Sequence, residues 1–333
     1  MSSVLTGATI AVIGGDDREI VMVPELIRMG ADVRVAGISK LSVYKKVRCF
    51  DRIEDAVQDA RFIILPMPGI DEKGIVRAKY GAQPLLLNKD VMMSFRDDSV
   101  LITGVARPLL KQLAAQRGLK LLEIADNDEV VILNSVPSAE GAIQMAMEAT
   151  DITIHGSTVI VIGFGRCGIT LVRMLMGLGA KTSVVARKPR DLARIREMGL
   201  LPVSYDEFPD SLRQADIVFN TVPSLVLTRD LLSRAKPSVY ICDIASAPGG
   251  VDFAAAGELG LNAVLAPGLP GKVAPRTAGL ILAKVIPDLI LTELNSSSYP
   301  VNMDQGTKLD GNFQQPEYPF REKDTFFFKR VQR

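Results

Sequence analysis

One short stretch, residues 158–168, constrains the fold of this chain more than any other. It reads TVIVIGFGRCG, and an apolar segment with helical character, residues 169–178, follows it. A run of β-branched residues predicts a buried strand, and the spacing GxGxxG predicts a tight turn into a helix. In such a unit the first glycine allows the turn, the second lets a pyrophosphate approach the backbone, and the third lets the helix pack closely. A dinucleotide site is therefore expected here.

The turn itself supplies the residues that we expect at the phosphates. A helix N-terminus presents free N–H groups and the positive end of its dipole to an anion. Arg166 either contacts the pyrophosphate or points into solvent. The candidate phosphate-binding residues are Gly163, Phe164, Gly165, Arg166, Cys167 and Gly168.

Composition excludes several other classes of protein. A length of 333 residues suggests two domains, and a net charge of +1 gives no reason to invoke nucleic acid or a membrane surface. No apolar run reaches transmembrane length, and the N-terminus lacks the basic region of a signal peptide. Cys49, Cys167 and Cys242 lack the spacing of a disulfide framework or a zinc site, so no metal is expected and a reducing cytoplasm fits.

Strands alternate with helices along the chain, which predicts an α/β fold. We expect two Rossmann-like, doubly wound parallel-sheet domains with a cleft between them, linked by helices. Residues 1–150 would form a substrate or partner domain, and residues 151–276 a dinucleotide-binding domain. A last helix, 277–294, is expected to pack back on the first domain, with Pro287 kinking or breaking it. Residues 295–333 are expected to form an irregular extension. The first domain contains GGDDRE, which lacks the second and third fingerprint glycines, so no dinucleotide is expected there.

Three consecutive strands of the second domain run into loops rich in glycine and proline. In an open α/β sheet, ligands bind at the carboxyl ends of the strands. Asp243 either bonds the cofactor or caps its own loop. The candidate cofactor residues in these loops are Thr221, Val222, Pro223, Asp243, Ala245, Ser246, Pro270 and Gly271.

The second strand of this domain indicates which dinucleotide binds. An acid at its end would bond the ribose 2′-hydroxyl of NAD, whereas an arginine accommodates the 2′-phosphate of NADP. Here the strand ends at Arg187 and Lys188. The guanidinium fork and the ammonium both suit a phosphate, which favours NADP.

The chain resembles the A subunit of bacterial dipicolinate synthase over about residues 5–295. The resemblance rests on IAVIGGD, NSVPSAEG, TDITIHGSTVIVIGFGRCG, ARIREMGLLPV, NTVPSLVL, DIASAPGG and LAPGLPGKVAPRTAG, in that order. It implies an NADP-linked oxidation to dipicolinate of a hydroxytetrahydro or dihydro precursor from the lysine pathway. It also implies that the partner is a flavoprotein-like B subunit, and that the location is the mother-cell cytoplasm of a sporulating bacterium. The tail after about residue 295 and Pro287 depart from the family pattern.

A dicarboxylate substrate requires two anion-binding sites. We expect one at the start of the linker helix, where Ser135 or Ser138 would cap and Pro137 would lie in the first turn, and one at residues 270–277. Ordinary capping and a solvated cation pair are the alternatives. The candidate substrate residues are Ser135, Ser138, Lys272, Arg276 and Thr277.

The catalytic base is harder to identify. Glu140 is the best-placed carboxylate, although a first-turn glutamate is also favoured by the helix dipole. The one histidine, His155, precedes the fingerprint, whereas a 2-hydroxyacid dehydrogenase would need one downstream. An alanine- or 2-hydroxyacid-type dehydrogenase, or a non-catalytic NADP-binding subunit, remain the alternatives. A homo-oligomer is expected.

Overall fold

Two six-stranded parallel sheets form the frame of the molecule. The computed structural model describes residues 4–296. The described residues up to Leu294 form one compact unit. Apart from the end of the last helix, the extension predicted for residues 295–333 lies outside the described residues.

The first sheet has the strand order β3-β2-β1-β4-β7-β8, which reverses direction between β1 and β4. Its elements are β1 (Thr9–Ile13), α1 (Asp17–Arg28), β2 (Asp32–Ala36), β3 (Arg48–Phe50), α2 (Ile53–Val57), β4 (Phe62–Ile64), β5 (Ile75–Val76), β6 (Leu85–Leu86), α3 (Lys89–Met92), β7 (Val100–Thr103), α4 (Pro108–Gln116) and β8 (Lys120–Glu123). The short strand β6 pairs with β5 in a separate antiparallel ribbon rather than in this sheet.

The second sheet repeats this plan with the order β11-β10-β9-β12-β13-β14. A long helix, α5 (Asp128–Ala149), leads into it. The elements that follow are β9 (Thr158–Ile162), α6 (Arg166–Gly177), β10 (Lys181–Val185), α7 (Pro189–Glu197), β11 (Leu201–Val203), α8 (Phe208–Leu212), β12 (Ile217–Asn220), α9 (Arg229–Leu232), β13 (Tyr240–Asp243), α10 (Phe253–Glu258), β14 (Asn262–Leu265), α11 (Leu269–Val273) and α12 (Pro275–Ser296). The predicted pair of doubly wound sheets is confirmed.

The helix α5 begins earlier than its sequence suggests. Its N-cap is Asn127, whose side chain accepts a hydrogen bond from the Val130 N–H, and Pro137 lies inside the helix. The predicted cap at Ser135 or Ser138 is therefore wrong. Proline removes one backbone donor, but the helix continues through it, with Ser135, Pro137 and Ala139 buried.

The last helix, α12, runs through Pro287 without a break. Its buried residues Leu282, Val285, Ile286 and Ile290 share one hydrophobic core with the first sheet. Burial of four large side chains, each stabilising by about 1.5–3 kcal/mol, outweighs the roughly 3 kcal/mol that an internal proline costs. Among residues 4–296, no helix is long and apolar enough to cross a membrane.

Candidate functional site

The turn after β9 has the backbone that the glycine pattern predicts. Gly163 has φ +98°, a conformation that glycine adopts without steric cost. A Cβ at Gly163 would lie well inside contact distance of Thr221 Oγ1, and one at Gly168 well inside contact distance of the Gly163 carbonyl oxygen. The first and third glycines are thus required by the close packing of α6 and the β12 loop on this turn.

The middle of the turn is open. A Cβ at Gly165 would meet no heavy atom within 4 Å. Gly165 is also the N-cap of α6, and no side chain caps this helix. The first N–H groups of α6 therefore lack the usual capping acceptor, and an anion approaching Gly165 would find both space and donors. The turn fits the pyrophosphate of a dinucleotide.

A buried pair of polar side chains joins the next two strands. Asn220 and Asp243, both 0% exposed, end β12 and β13 as directly opposed residues. Asn220 Nδ2 donates to Asp243 Oδ1 at 2.9 Å and to the Val222 carbonyl at 2.9 Å. Asp243 also accepts N–H groups from Ala245 at 3.0 Å and from Gly250 at 2.6 Å. Thr221 Oγ1 donates to the Ile162 carbonyl at 2.9 Å.

These hydrogen bonds show that the Asp243 carboxylate caps its own loop. Of the two roles predicted for it, capping accounts for both carboxylate oxygens, and Asn220 is a partner that sequence reasoning missed. Its only signal was an asparagine at the end of the apolar strand IVFN. Pro223 and Ser246 are exposed on the two loops that the pair holds, whereas Ala245 is buried. Asn220 and Asp243 thus fix the two loops that follow β12 and β13, at the carboxyl edge of the sheet where the cofactor is expected.

The predicted basic pair lies at the end of β10. Arg187 and Lys188 are exposed, and Lys188 is the N-cap of α7. Burial raises the pKa of the Tyr205 phenol, and the positive charge of Arg187 acts in the opposite direction. Arg166, in the turn, forms an ion pair with Asp128 at 2.6 Å, at the start of α5. Three cations therefore lie at the carboxyl ends of the adjacent strands β9 and β10, where the dinucleotide is expected.

The two serines that were predicted to bind a carboxylate lie inside α5, where their hydroxyl groups bond neighbouring groups of the protein. Ser135 is fully buried and its hydroxyl bonds the Ile132 carbonyl and Thr170 Oγ1, both at 2.6 Å. Ser138 Oγ donates to the Asn134 carbonyl at 2.8 Å. No helix begins at these serines, so the predicted anion site at a helix start is absent from this part of α5. Asn134 Oδ1 is buried and has no hydrogen-bond partner among residues 4–296. Glu140, the candidate catalytic base, is exposed.

The second predicted anion site is divided between two helices. Pro270, Gly271 and Lys272 lie in the short helix α11, whereas Arg276 and Thr277 lie in the first turn of α12. The side chains of Lys272, Arg276 and Thr277 are exposed.

The corresponding turn of the first sheet is closed to phosphate. Asp16 caps α1, and the Asp16 N–H donates to Glu19 Oε2 at 2.7 Å, so each carboxylate satisfies an N–H at the helix start. Burial raises the pKa of Glu19. Burial also acts to raise that of Asp16, but the hydrogen bonds and charge of Arg18 outweigh it, so the pKa of Asp16 lies below its ordinary value. Two carboxyl groups stand where a phosphate would have to bind.

Known families match both halves of the chain. Residues 9–125 match the N-terminal domain of the dipicolinate synthase A chain. Residues 136–247 match the NAD-binding domain of the D-isomer specific 2-hydroxyacid dehydrogenases. The second match spans the open turn, the basic pair and the Asn220–Asp243 pair, so the nicotinamide dinucleotide site is that of a known dehydrogenase domain.

Relatives match nearly the whole described chain. The A subunit of dipicolinate synthase from Bacillus subtilis is 41% identical over 86% of this chain and 97% of its own length. The crystal structure of the same protein from Bacillus halodurans superimposes with a TM-score of 0.83 at 36% identity, over 86% of this chain and 98% of its own. The Bacillus subtilis crystal structure gives 0.82 at 39% identity, over 88% and 98%. With an open dinucleotide turn and this extent of similarity, the chain is an oxidoreductase that belongs to the family of dipicolinate synthase A subunits.

Proposed function

We propose that this chain binds NADP and oxidises a dihydrodipicolinate, or its hydroxylated tetrahydro precursor after loss of water, to dipicolinate. The observation that carries the proposal is the open, uncapped turn at Gly165, beside a strand that ends in Arg187 and Lys188. The relatives named as dipicolinate synthase support the choice of substrate. The same relationship supports partnership with a B subunit, in the mother-cell cytoplasm.

The chemistry requires little of the side chains beyond positioning. When bound, the nicotinamide supplies a hydride acceptor; the dihydropyridine ring loses one hydride and one proton and becomes aromatic. The chain holds the cofactor phosphates at the turn and has cations at residues 272 and 276 for the substrate carboxylates. Positioning of this kind lowers a barrier by up to about 7–11 kcal/mol in favourable cases. Glu140 stays a candidate for the group that accepts the proton.

The preference for NADP is tested by Arg187→Ala. Removing a charge-assisted bond to the 2′-phosphate is expected to weaken NADPH binding by about 10- to 100-fold, equivalent to about 1.5–3 kcal/mol, and to leave NADH binding unchanged. Arg194→Ala is the matched control, because Arg194 is exposed on the neighbouring helix and pairs with Glu197. Equal losses for both dinucleotides, or none, would contradict the assignment of the 2′-phosphate to Arg187.

The reaction itself is tested with freshly generated dihydrodipicolinate precursor and NADP⁺, with and without the B subunit. Formation of NADPH and of the pyridine chromophore in equal amounts is the expected result. Tight NADPH binding without turnover in any combination would instead favour a non-catalytic cofactor-binding subunit. Reduction of NAD⁺ with alanine or a 2-hydroxy acid would favour the other dehydrogenase class.

A further inference from the structure

One largely buried arginine contacts the helices that follow the second sheet. Arg18 lies in the first turn of α1, and its side chain is only 11% exposed. A Cβ at Gly271, in α11, would lie 3.0 Å from Arg18 Nε and 3.1 Å from Cζ. A Cβ at Gly279, in α12, would lie 2.6 Å from the Arg18 carbonyl oxygen. Glycines at both positions therefore allow the later helices to approach Arg18 closely.

Asp16 holds the guanidinium of Arg18 in one orientation. Nε donates to Asp16 Oδ1 at 2.9 Å and Nη2 to Oδ2 at 2.8 Å. This bidentate pair uses one edge of the planar group. Among residues 4–296, no hydrogen bond uses Nη1, so the outer edge formed by Nη1 and Nη2 keeps its donors.

The helix cap does not explain Arg18. Asp16 and Glu19 cap α1 through backbone N–H groups, and this exchange needs no guanidinium. Burying an arginine is costly unless its donors are satisfied. A largely buried, oriented arginine with an unused donor edge, placed where the start of α1 meets α11 and α12, has the character of an anion-binding group.

We infer that the outer edge of Arg18 binds one carboxylate of a planar dicarboxylate, while the α11–α12 segment of the other half binds the second. This rests on the proposed function and replaces the carboxylate site that the sequence placed at Ser135 and Ser138. Asp16 acts as the positioning residue, because it fixes the guanidinium plane. Gly271 lets the substrate-binding segment reach the face of that plane.

The charges around Arg18 suit a dianion. Arg77 acts electrostatically on Asp16, and Lys272 and Arg276 belong to the segment that contacts Arg18. Asp16, Asp17 and Glu19 are the carboxyl groups at the start of α1, and Arg18, Arg77 and Lys79 are the cations beside them. Lys272 and Arg276, on the segment that contains Gly271, add positive charge for a dianion.

The test is a binding measurement on the full chain with saturating NADP⁺, using dipicolinate and pyridine-2-carboxylate as probes in calorimetry. Wild type is expected to bind dipicolinate more tightly than the monocarboxylate. Arg18→Ala is expected to weaken the binding of dipicolinate by roughly 10- to 100-fold. It should weaken the binding of the monocarboxylate far less, because only the dicarboxylate needs both carboxylate sites. NADP⁺ affinity should not change.

Two further variants exclude a purely structural effect. Arg18→Lys keeps the charge but loses the fork, so it should fold and still lose selectivity for the dicarboxylate. Arg28→Ala, at the exposed end of the same helix, should behave as wild type. Equal losses for both probes in Arg18→Lys, or undiminished dipicolinate binding, would overturn the role of Arg18. If wild type binds NADP⁺ but not dipicolinate, both the proposed function and this inference are wrong. If wild type binds dipicolinate and the Arg18 variants bind it equally well, only the inference about Arg18 is wrong.

Discussion

The contact between α6 and the fingerprint turn allows a quantitative test of the site. A Cβ at Gly168 would lie inside contact distance of the Gly163 carbonyl oxygen and 3.1 Å from its carbonyl carbon. Both are backbone atoms, so the methyl group of Gly168→Ala is accommodated only if α6 moves. Overpacking of this kind costs up to about 3 kcal/mol, and the better helix propensity of alanine returns about 1 kcal/mol. We expect a net loss of about 2 kcal/mol.

Two other glycines of the same segment serve as matched variants. A Cβ at Gly177, at the end of α6, would meet nothing within 4 Å, so Gly177→Ala should be neutral or stabilising by up to about 1 kcal/mol. Gly165 is equally open and has φ −96°, which alanine tolerates. Gly165→Ala should therefore keep its stability but lose NADPH affinity, because its methyl group lies where the pyrophosphate approaches.

The assay combines urea unfolding, followed by circular dichroism, with NADPH binding, followed by fluorescence. Gly168→Ala should lose both stability and affinity, Gly165→Ala affinity alone, and Gly177→Ala neither. Wild-type stability in Gly168→Ala would refute the close packing of α6 on the turn. Wild-type affinity in Gly165→Ala would refute the placement of the phosphates at this turn.

Three other buried groups give further predictions. Asp243→Asn replaces an acceptor of three hydrogen bonds by a group that also donates, so it should destabilise the chain by about 1–3 kcal/mol in urea unfolding; unchanged stability would contradict the network. Burial raises the pKa of Glu19 above 4.5, so its contribution to stability is present below pH 4.5 and declines as the pH rises through the folded-state pKa. Glu19→Gln should abolish this decline in unfolding curves measured at several pH values, whereas Glu25→Gln should not. Burial raises the pKa of Cys242 to about 12, so in thiol titration at pH 8 the exposed Cys49 should react before Cys242; early labelling of Cys242 would contradict its burial.

The sheets were predictable because their strands are buried on both faces. Strands such as β9, β12 and β13 read as continuous apolar runs, and helices on both sides of a parallel sheet require this. The fingerprint was predictable for a related reason. The positive φ of Gly163 and the close approach of Gly168 to the Gly163 carbonyl are local steric demands, and local demands are visible in a single sequence.

The start of α5 was not predictable in the same way. The serines and the proline of NSVPSAEG resemble a helix start, and so does Asn127 with the Val130 N–H. Local signals alone do not decide between them. The choice depends on buried residues such as Ala139 and Ile143, which pack on the second sheet's core and keep the segment helical through Pro137.

The pairing of Asn220 with Asp243 illustrates the other limit. The two residues are distant in sequence and meet because β12 and β13 are neighbours in register. An asparagine or aspartate at a strand end is a common turn residue. Only the register shows that the two side chains bond each other and that the loop uses both oxygens of the carboxylate.

The two sheets share one strand order but not one function, and the difference lies in the helix that follows the first strand. In the second half, α6 begins at an uncapped glycine, so its N–H groups and dipole are available to a phosphate. In the first half, Asp16 and Glu19 occupy the equivalent position of α1. Carboxylates there repel a phosphate, yet one of them orients Arg18. Acids in place of glycines thus remove one anion site from the fold, and one of these acids orients the arginine that we propose as another.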